Sequence, residues 1–199
     1  MFSHGPAEQI MVCRLNGPHS APAFSFAPRD AVPEGHFPCA AYVLFTKQAE
    51  LGSLSVLMLN HKSTSASWPG SGDLPGGGVS PPDCNDNHPN FRAFEVAAWR
   101  ECLEETNLDV NSCTHFRDAI SVMFSPDQHG TKAYTMVLMV PADLNMPAPT
   151  HLESKFESAG WLPIDDAIAR VALAAATPGV KQKDDIAIVL RQAKALLVR

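Results

Sequence analysis

The chain has 199 residues, 45% hydrophobic and 18% charged, enough to bury one substantial core, so a single domain with extensions is expected. A formal net charge of −6 and a pI near 5.7 argue against a broad electrostatic footprint for nucleic acid or an anionic membrane, so an anionic ligand has to be met locally. Five scattered cysteines, Cys13, Cys39, Cys84, Cys102 and Cys113, include no C-x-x-C pair and fit a reduced, cytoplasmic setting; the start lacks the regions of a secretory signal, and no stretch approaches the roughly 18 apolar residues of a membrane helix.

The run Ile10-Met11-Val12-Cys13 within residues 9–15 predicts an early strand, read as an edge strand. Prolines at 18, 22, 28, 33 and 38 forbid regular helix, so residues 16–38 are expected as an extended leader packed on the surface. Residues 1–38 then form an N-terminal strand and leader, and 39–199 the main domain. Residues 39–46 are a dense apolar run of strand length, expected at the centre of a sheet. After a turn at 48–52, residues 54–60 form its partner strand, ending at His61-Lys62. Those two side chains are candidates for binding phosphate at a strand end, with a polar strand terminus as the alternative. Residues 63–73 are a loop around Trp68-Pro69.

Gly76-Gly77-Gly78 permits positive φ and close approach of backbone to a ligand, or is simply a flexible turn. Residues 80–89, with two adjacent prolines and many turn formers, are expected as an exposed excursion. Within it Cys84, Asp86 and His88 match no zinc spacing, so a surface insert is preferred to a metal cluster. Asn90 is a credible N-cap, residues 91–106 an amphipathic helix burying the side of Ala98, Trp99, Cys102 and Leu103, and Asn107 a left-handed terminator. Residues 119–124 and 133–140 read as a hairpin. A broken stretch at 141–149 precedes a short strand over 158–162, a helix from Pro163 to about 174, and a terminal amphipathic helix over 184–198.

The helix over 91–106 carries Arg100-Glu101-Cys102-Leu103-Glu104-Glu105. Spacings of three and four bring Glu101, Glu104 and Glu105 to neighbouring positions on a helix surface. An unanswered Glu101/Glu105 pair costs roughly 0.2–0.5 kcal/mol, which a hard divalent cation removes. Carboxylate oxygens in this number suit Mg²⁺ or Mn²⁺, which keep waters and complete their shell with substrate phosphate. A solvated acidic helix face is the competing explanation.

Residues 76–108 resemble the signature of Nudix hydrolases: a glycine, five residues, a glutamate, seven residues, then Arg-Glu, a hydrophobic residue, any residue, Glu-Glu, any residue, glycine and a hydrophobic residue. Arg100, Glu101, Cys102, Glu104, Glu105 and Leu108 match the second half in register, and Gly77 stands as the opening glycine. Three positions depart. Counting back from Arg100, Arg92 occupies the place of the first glutamate; the span from Gly77 is nine residues longer; Asn107 replaces the late glycine.

The resemblance implies an α/β/α sandwich with a mixed sheet and a Mg²⁺-dependent hydrolase, Mn²⁺ being an alternative cofactor. By analogy Glu101, Glu104 and Glu105 hold the metal with the Gly76 carbonyl, Arg100 orients the carboxylates, and Gly77 belongs to the substrate site. The general base is Glu104 or Glu105, or a loop carboxylate such as Glu153 or Glu157, for which solvent-facing charge is the plainer account. The leading substrate is a nucleoside diphosphate linked to another moiety; an inositol pyrophosphate and an isoprenoid diphosphate are alternatives. A non-catalytic binding or regulatory module is the alternative from another class. The partner is then a small-molecule diphosphate, with neither nucleic acid nor membrane expected and a homodimer left open.

Overall fold

A computed structural model of the chain describes residues 9–15, 22–28, 31, 39–48, 53–84, 90–113, 119–124 and 133–198. Among these, nine strands form one mixed sheet. They are β1 (Gln9–Leu15), β2 (Pro22–Pro28), β3 (Cys39–Gln48), β4 (Leu54–His61), β5 (Gly72–Asp73), β6 (Gly76–Gly78), β7 (Ile120–Phe124), β8 (Tyr134–Pro141) and β9 (Phe156–Pro163). The order is β2-β1-β7-β8-β3-β4-β5, with β6 also paired to β3 and β9 to β4. Two pairs are parallel, β1 with β7 and β3 with β8.

Among the described residues the α-helices are α1 (Phe91–Thr106), α2 (Ile164–Ala176) and α3 (Asp184–Leu197). Period-two alternation along β3 sends Tyr42 and Leu44 into one core and Ala41, Val43 and Phe45 into the other. The first core is closed by Ile164, Ala167 and Val171 of α2 and Ile186, Val189, Leu190 and Ala193 of α3. The second is closed by Phe91, Phe94, Ala97, Ala98 and Cys102 of α1. Helices on both faces explain why β3 and β8 read as continuous apolar runs. The architecture is the expected α/β/α sandwich.

Four local expectations are corrected. β1 is not an edge strand: β2 covers it in register from Gln9↔Pro28 to Leu15↔Pro22. Proline is tolerated there because Pro22 and Pro28 stand at the ends of β2, which is itself the outer strand of the order. The glycine triplet is not a turn but the short strand β6, antiparallel to β3 with Tyr42↔Gly76 and Ala40↔Gly78. The loop over 63–73 ends in β5. Leu103, expected on the buried side of α1, is 48% exposed. Asp86 and His88, and the link between β7 and β8, lie outside the described residues.

One feature of the topology makes room for a site. β3 and β4 pair through Thr46–Gln48 on β3 and Leu54–Val56 on β4. Farther along, β6 lies against β3 and β5 against β4, joined by Leu74-Pro75. The sheet divides there, and α1 lies against β6.

Candidate active site

Both ends of α1 are fixed locally. The Asn90 side chain accepts from the Ala93 amide at 2.9 Å, and Asn107 takes the left-handed conformation at φ 55° while its amide donates to the Leu103 carbonyl. The apolar stripe fixes the rotation of the helix, and rotation decides where the acids go. Glu105 is buried, Glu101 is 17% exposed at its side chain, and Glu104 is 58% exposed. The three carboxylates therefore separate: Glu101 and Glu105, one turn apart, line a cleft against β6, while Glu104 stands outside it.

The glycines admit this arrangement. Gly76 has φ 150°, and a Cβ there would run into the Ala41 carbonyl; a Cβ on Gly77 would stand 2.5 Å from a Glu101 carboxylate oxygen. The Gly76 amide donates to Glu105 Oε2 at 2.8 Å, so the group of Gly76 found on the carboxylates is its N–H. Burial pushes the Glu105 carboxyl up to about 7, even though Lys155 and the Gly76 amide pull the other way.

Arg100 ties the acids to the segment before the helix. Its Nε and Nη2 donate to both oxygens of buried Asp83 at 3.0 and 2.8 Å, and its Nη1 to Glu101 Oε1 at 2.7 Å and Glu104 Oε2 at 3.2 Å. The forked bond from Arg100 holds the Asp83 carboxyl down at about 2, against its burial. Asp83 also accepts from the Ser80 amide and hydroxyl, closing a 3₁₀ turn over Pro81–Asp83. The start of the supposed exposed insert is thus an anchor.

Asp83 escaped the sequence reading, yet a signal was present. It stands six positions after Gly77, with five residues between them, where the signature has its first glutamate. The nine additional residues fall between Asp83 and Arg100, so counting back from Arg100 lands on Arg92, which is exposed on α1.

The opposite wall comes from strand ends and loops. His61 is buried and its Nε2 lies 3.0 Å from Asp73 Oδ2; its Nδ1 has no partner among the described residues. Lys183, just before α3, donates to the same Asp73 oxygen at 2.6 Å and lies over the rings of Tyr42 and Trp68. Burial opposes ionisation of Asp73, but Lys183 and His61 prevail and its pKa is lowered. Lys155 donates to Glu105 Oε1 and Glu153 Oε2, both at 2.8 Å. Burial works against its charge, yet these two bonds hold its pKa above the ordinary value.

The cleft so formed encloses about 370 Å³, lined by His61, Trp68, Asp73, the β6 glycines, Glu101, Glu105, Lys155 and Lys183. Lys62 is exposed and not part of this lining; its amide donates to the Lys155 carbonyl. Glu153 is exposed and reaches the site through Lys155, and through its amide, which donates to the Glu105 carbonyl at 2.9 Å. Glu157 is exposed on β9. Lys155, Lys183, Asp73 and Trp68 were not singled out from sequence as site residues.

The donor set fits a hard divalent cation. Carboxylate oxygens from Glu101 and Glu105 face one cleft, Gly77 lacks the Cβ that would collide with Glu101, and an ammonium already stands on Glu105. Among the described residues no three acidic, histidine or cysteine side chains are gathered around one point. A cation there would rely on water and ligand phosphate for the rest of its shell, as Mg²⁺ commonly does.

The NUDIX domain family model matches residues 36–198. No curated protein matches the chain significantly. Among solved structures, the chain is similar to a NUDIX hydrolase from Alicyclobacillus acidocaldarius, 14% identical over 80% of this chain and 91% of that one, with a TM-score of 0.56. A Deinococcus radiodurans protein is 18% identical over 90% and 97% of the two chains, with a TM-score of 0.55. The NUDIX domain of Shewanella oneidensis NrtR, complexed with ADP ribose, is 14% identical over 82% and 90%, with a TM-score of 0.50. At these identities the likeness is one of fold.

Proposed function

We propose that this chain, which belongs to the NUDIX domain family and is with it a pyrophosphohydrolase, cleaves the diphosphate bridge of a nucleoside diphosphate linked to another moiety, with Mg²⁺ as cofactor and Mn²⁺ as a substitute. The observation that carries this is the single cleft in which two helix carboxylates, Glu101 and Glu105, face two ammoniums, Lys155 and Lys183, beside a strand of glycines. A diphosphate brings several negative oxygens to a protein of net charge −6, and this cleft is where local cations answer them.

Glu101 and Glu105 would hold the metal, and Glu104, linked to Glu101 through Arg100, is the third candidate ligand. A divalent cation held there supplies charge neutralisation at the phosphoryl oxygens, alignment of the scissile bond and a lowered pKa for a water. Arg100, held from behind by Asp83, fixes the orientation of Glu101. Lys155 and Lys183 bind phosphoryl oxygens as point charges. Backbone from Gly76 to Gly78 can come close to the substrate because no side chain intervenes.

A nucleoside is favoured by what adjoins the cleft. Trp68 and Lys183 also line a second cavity of about 530 Å³, with Tyr42, Asp185, Ala133 and Val180 on its other sides. An aromatic face next to apolar surface and a carboxylate suits a planar base with N–H donors. ADP ribose, the ligand of the NrtR domain, has this chemistry of base, diphosphate and sugar. The test is turnover across a panel of ADP ribose, a dinucleoside polyphosphate, a nucleotide sugar, an inositol pyrophosphate and an isoprenoid diphosphate with Mg²⁺ or Mn²⁺. Nucleoside monophosphate release from the first three is expected. No turnover on any member, together with no saturable Mg²⁺ binding, would leave the non-catalytic module.

A further inference from the structure

We propose that Lys155 is a displaceable counter-cation of Glu105: it occupies the carboxylate until a divalent metal arrives, and the ammonium so released binds the substrate's phosphate. This rests on the proposal above that Glu105 is a metal ligand.

Glu105 is 2% exposed, and each of its oxygens already has a donor, the Gly76 amide on Oε2 and Lys155 Nζ on Oε1. The amide is neutral and fixed in the strand, and sharing its acceptor with a cation is no obstacle. The ammonium is different. An ammonium and a divalent ion on one carboxylate oxygen repel strongly in a buried setting, so both cannot keep the short contact. Lys155 is the one able to leave: its side chain is 36% exposed and it is already bonded to Glu153 Oε2, itself 44% exposed. It lines the same cleft as Glu101 and Lys183, so a short swing about Glu153 brings it to a diphosphate. The loop carrying it is held to α1 by the Glu153 amide on the Glu105 carbonyl, which keeps the pivot beside the metal seat. Before metal binds, Lys155 spares the fold an uncompensated buried carboxylate. Afterwards, the metal takes over that task.

A side chain that only braces the fold and one that yields to metal differ in sign when removed. In Lys155→Met the apolar stem stays and the competing charge goes; burial then favours a proton on Glu105, so the proteins are compared at alkaline pH, where the metal no longer meets a mostly blocked carboxylate. Titration of Mn²⁺ alone, followed by the electron paramagnetic resonance of the free ion, should give a dissociation constant roughly tenfold lower than wild type, as expected when a blocked majority state is removed. Lys155→Arg, which keeps the charge, should not tighten binding. Melting of the same proteins gives a second reading that survives a weakened fold: Mn²⁺ should raise the Tm of Lys155→Met by more than it raises that of wild type. Mn²⁺ affinity that is unchanged or weaker in Lys155→Met, with no larger Tm gain, overturns the inference. If wild type binds Mn²⁺ and Glu105→Gln loses it, the metal seat stands, and an unchanged or weaker affinity in Lys155→Met then sinks the role of Lys155 alone. If Glu105→Gln binds Mn²⁺ as wild type does, the metal seat and this inference fall together.

Discussion

At the residue scale the governing contact is the forked bond between Arg100 and Asp83, because it decides where Glu101 points. Arg100 spends two nitrogens on Asp83 and one on Glu101 and Glu104. Loss of the aspartate charge should weaken both the fold and the site. The Asp83 carboxyl sits at about 2 when folded, below its ordinary value of 3.8. A depressed carboxyl contributes stability that is present above the unfolded pKa and is lost as pH falls through the folded one. Asp83→Asn should therefore cost about 1–2 kcal/mol at neutral pH, after allowance for solvent around Arg100. The wild-type advantage should shrink below pH about 4 and vanish only as pH falls below about 2, as measured by urea denaturation at stepped pH. A difference independent of pH over that window would remove the ion pair from the account. Half of this pair was legible: Arg100 and its acids stand ungapped in the sequence, and their places on the helix followed from a period of 3.6. Asp83 was obscured because a nine-residue insertion broke the spacing on the side from which it was counted. The exposure of Glu104 was hidden for a different reason. The spacing put it beside Glu101 and Glu105, but the burial of Phe94, Ala98 and Cys102 set the helix rotation and turned Glu104 outward.

At the element scale, what local chemistry determines was readable and what distant pairing determines was not. Asn90 and Asn107 announced the ends of α1 because a side-chain acceptor before a helix and a left-handed residue after it are local requirements. The apolar runs of β3, β4, β7 and β8 announced strands. β2 and β6 did not, since one lies in a proline-rich stretch and the other is three glycines; each is a strand because its partner holds it, β1 in register for β2 and β3 for β6. The C-terminus of α1 offers a quantitative check. Asn107 at φ 55° is a conformation that glycine adopts without strain and a β-branched residue resists. Asn107→Gly should leave stability level or raise it by up to about 0.5 kcal/mol, while Asn107→Val should lower it by roughly 1–2 kcal/mol. Thermal melts of the two variants decide this. Because the Glu153 amide caps the nearby Glu105 carbonyl, the valine variant should also loosen the loop bearing Lys155, and a valine variant as stable as wild type would show that this end is held by tertiary contacts alone.

At the scale of the whole molecule, an acidic protein brings ammoniums to its cleft by drawing lysines from distant parts of the chain. Lys155 precedes β9 and Lys183 precedes α3, and both reach a cleft whose other wall is α1. Lys62 was a candidate because it adjoins His61 at the end of β4; side chains alternate across a strand, and the one following buried His61 is exposed to solvent. No spacing rule connects Asp73 with Lys183, 110 residues later, so this pair could emerge only from the folded sheet. Its energetics should reveal how far site and fold are one system. Asp73 is 2% exposed and accepts from both Lys183 and His61. Lys183→Met leaves that carboxylate with only His61 and the Leu74 amide and should cost roughly 3 kcal/mol, the scale of breaking a buried pair from one side. Asp73→Asn should be costly as well, since Lys183 then loses its counter-charge. The double variant removes the mismatch, so the two losses should fall short of additivity by roughly 1–3 kcal/mol in urea denaturation. Substrate affinity should behave otherwise. If Lys183 also binds phosphate, the KM of the double variant stays as high as that of Lys183→Met, because restoring the fold does not restore the ammonium. Stability losses that simply add would mean Asp73 and Lys183 act independently. A KM that recovers with stability would mean Lys183 serves the sheet and not the substrate, leaving Lys155 as the cation of the cleft.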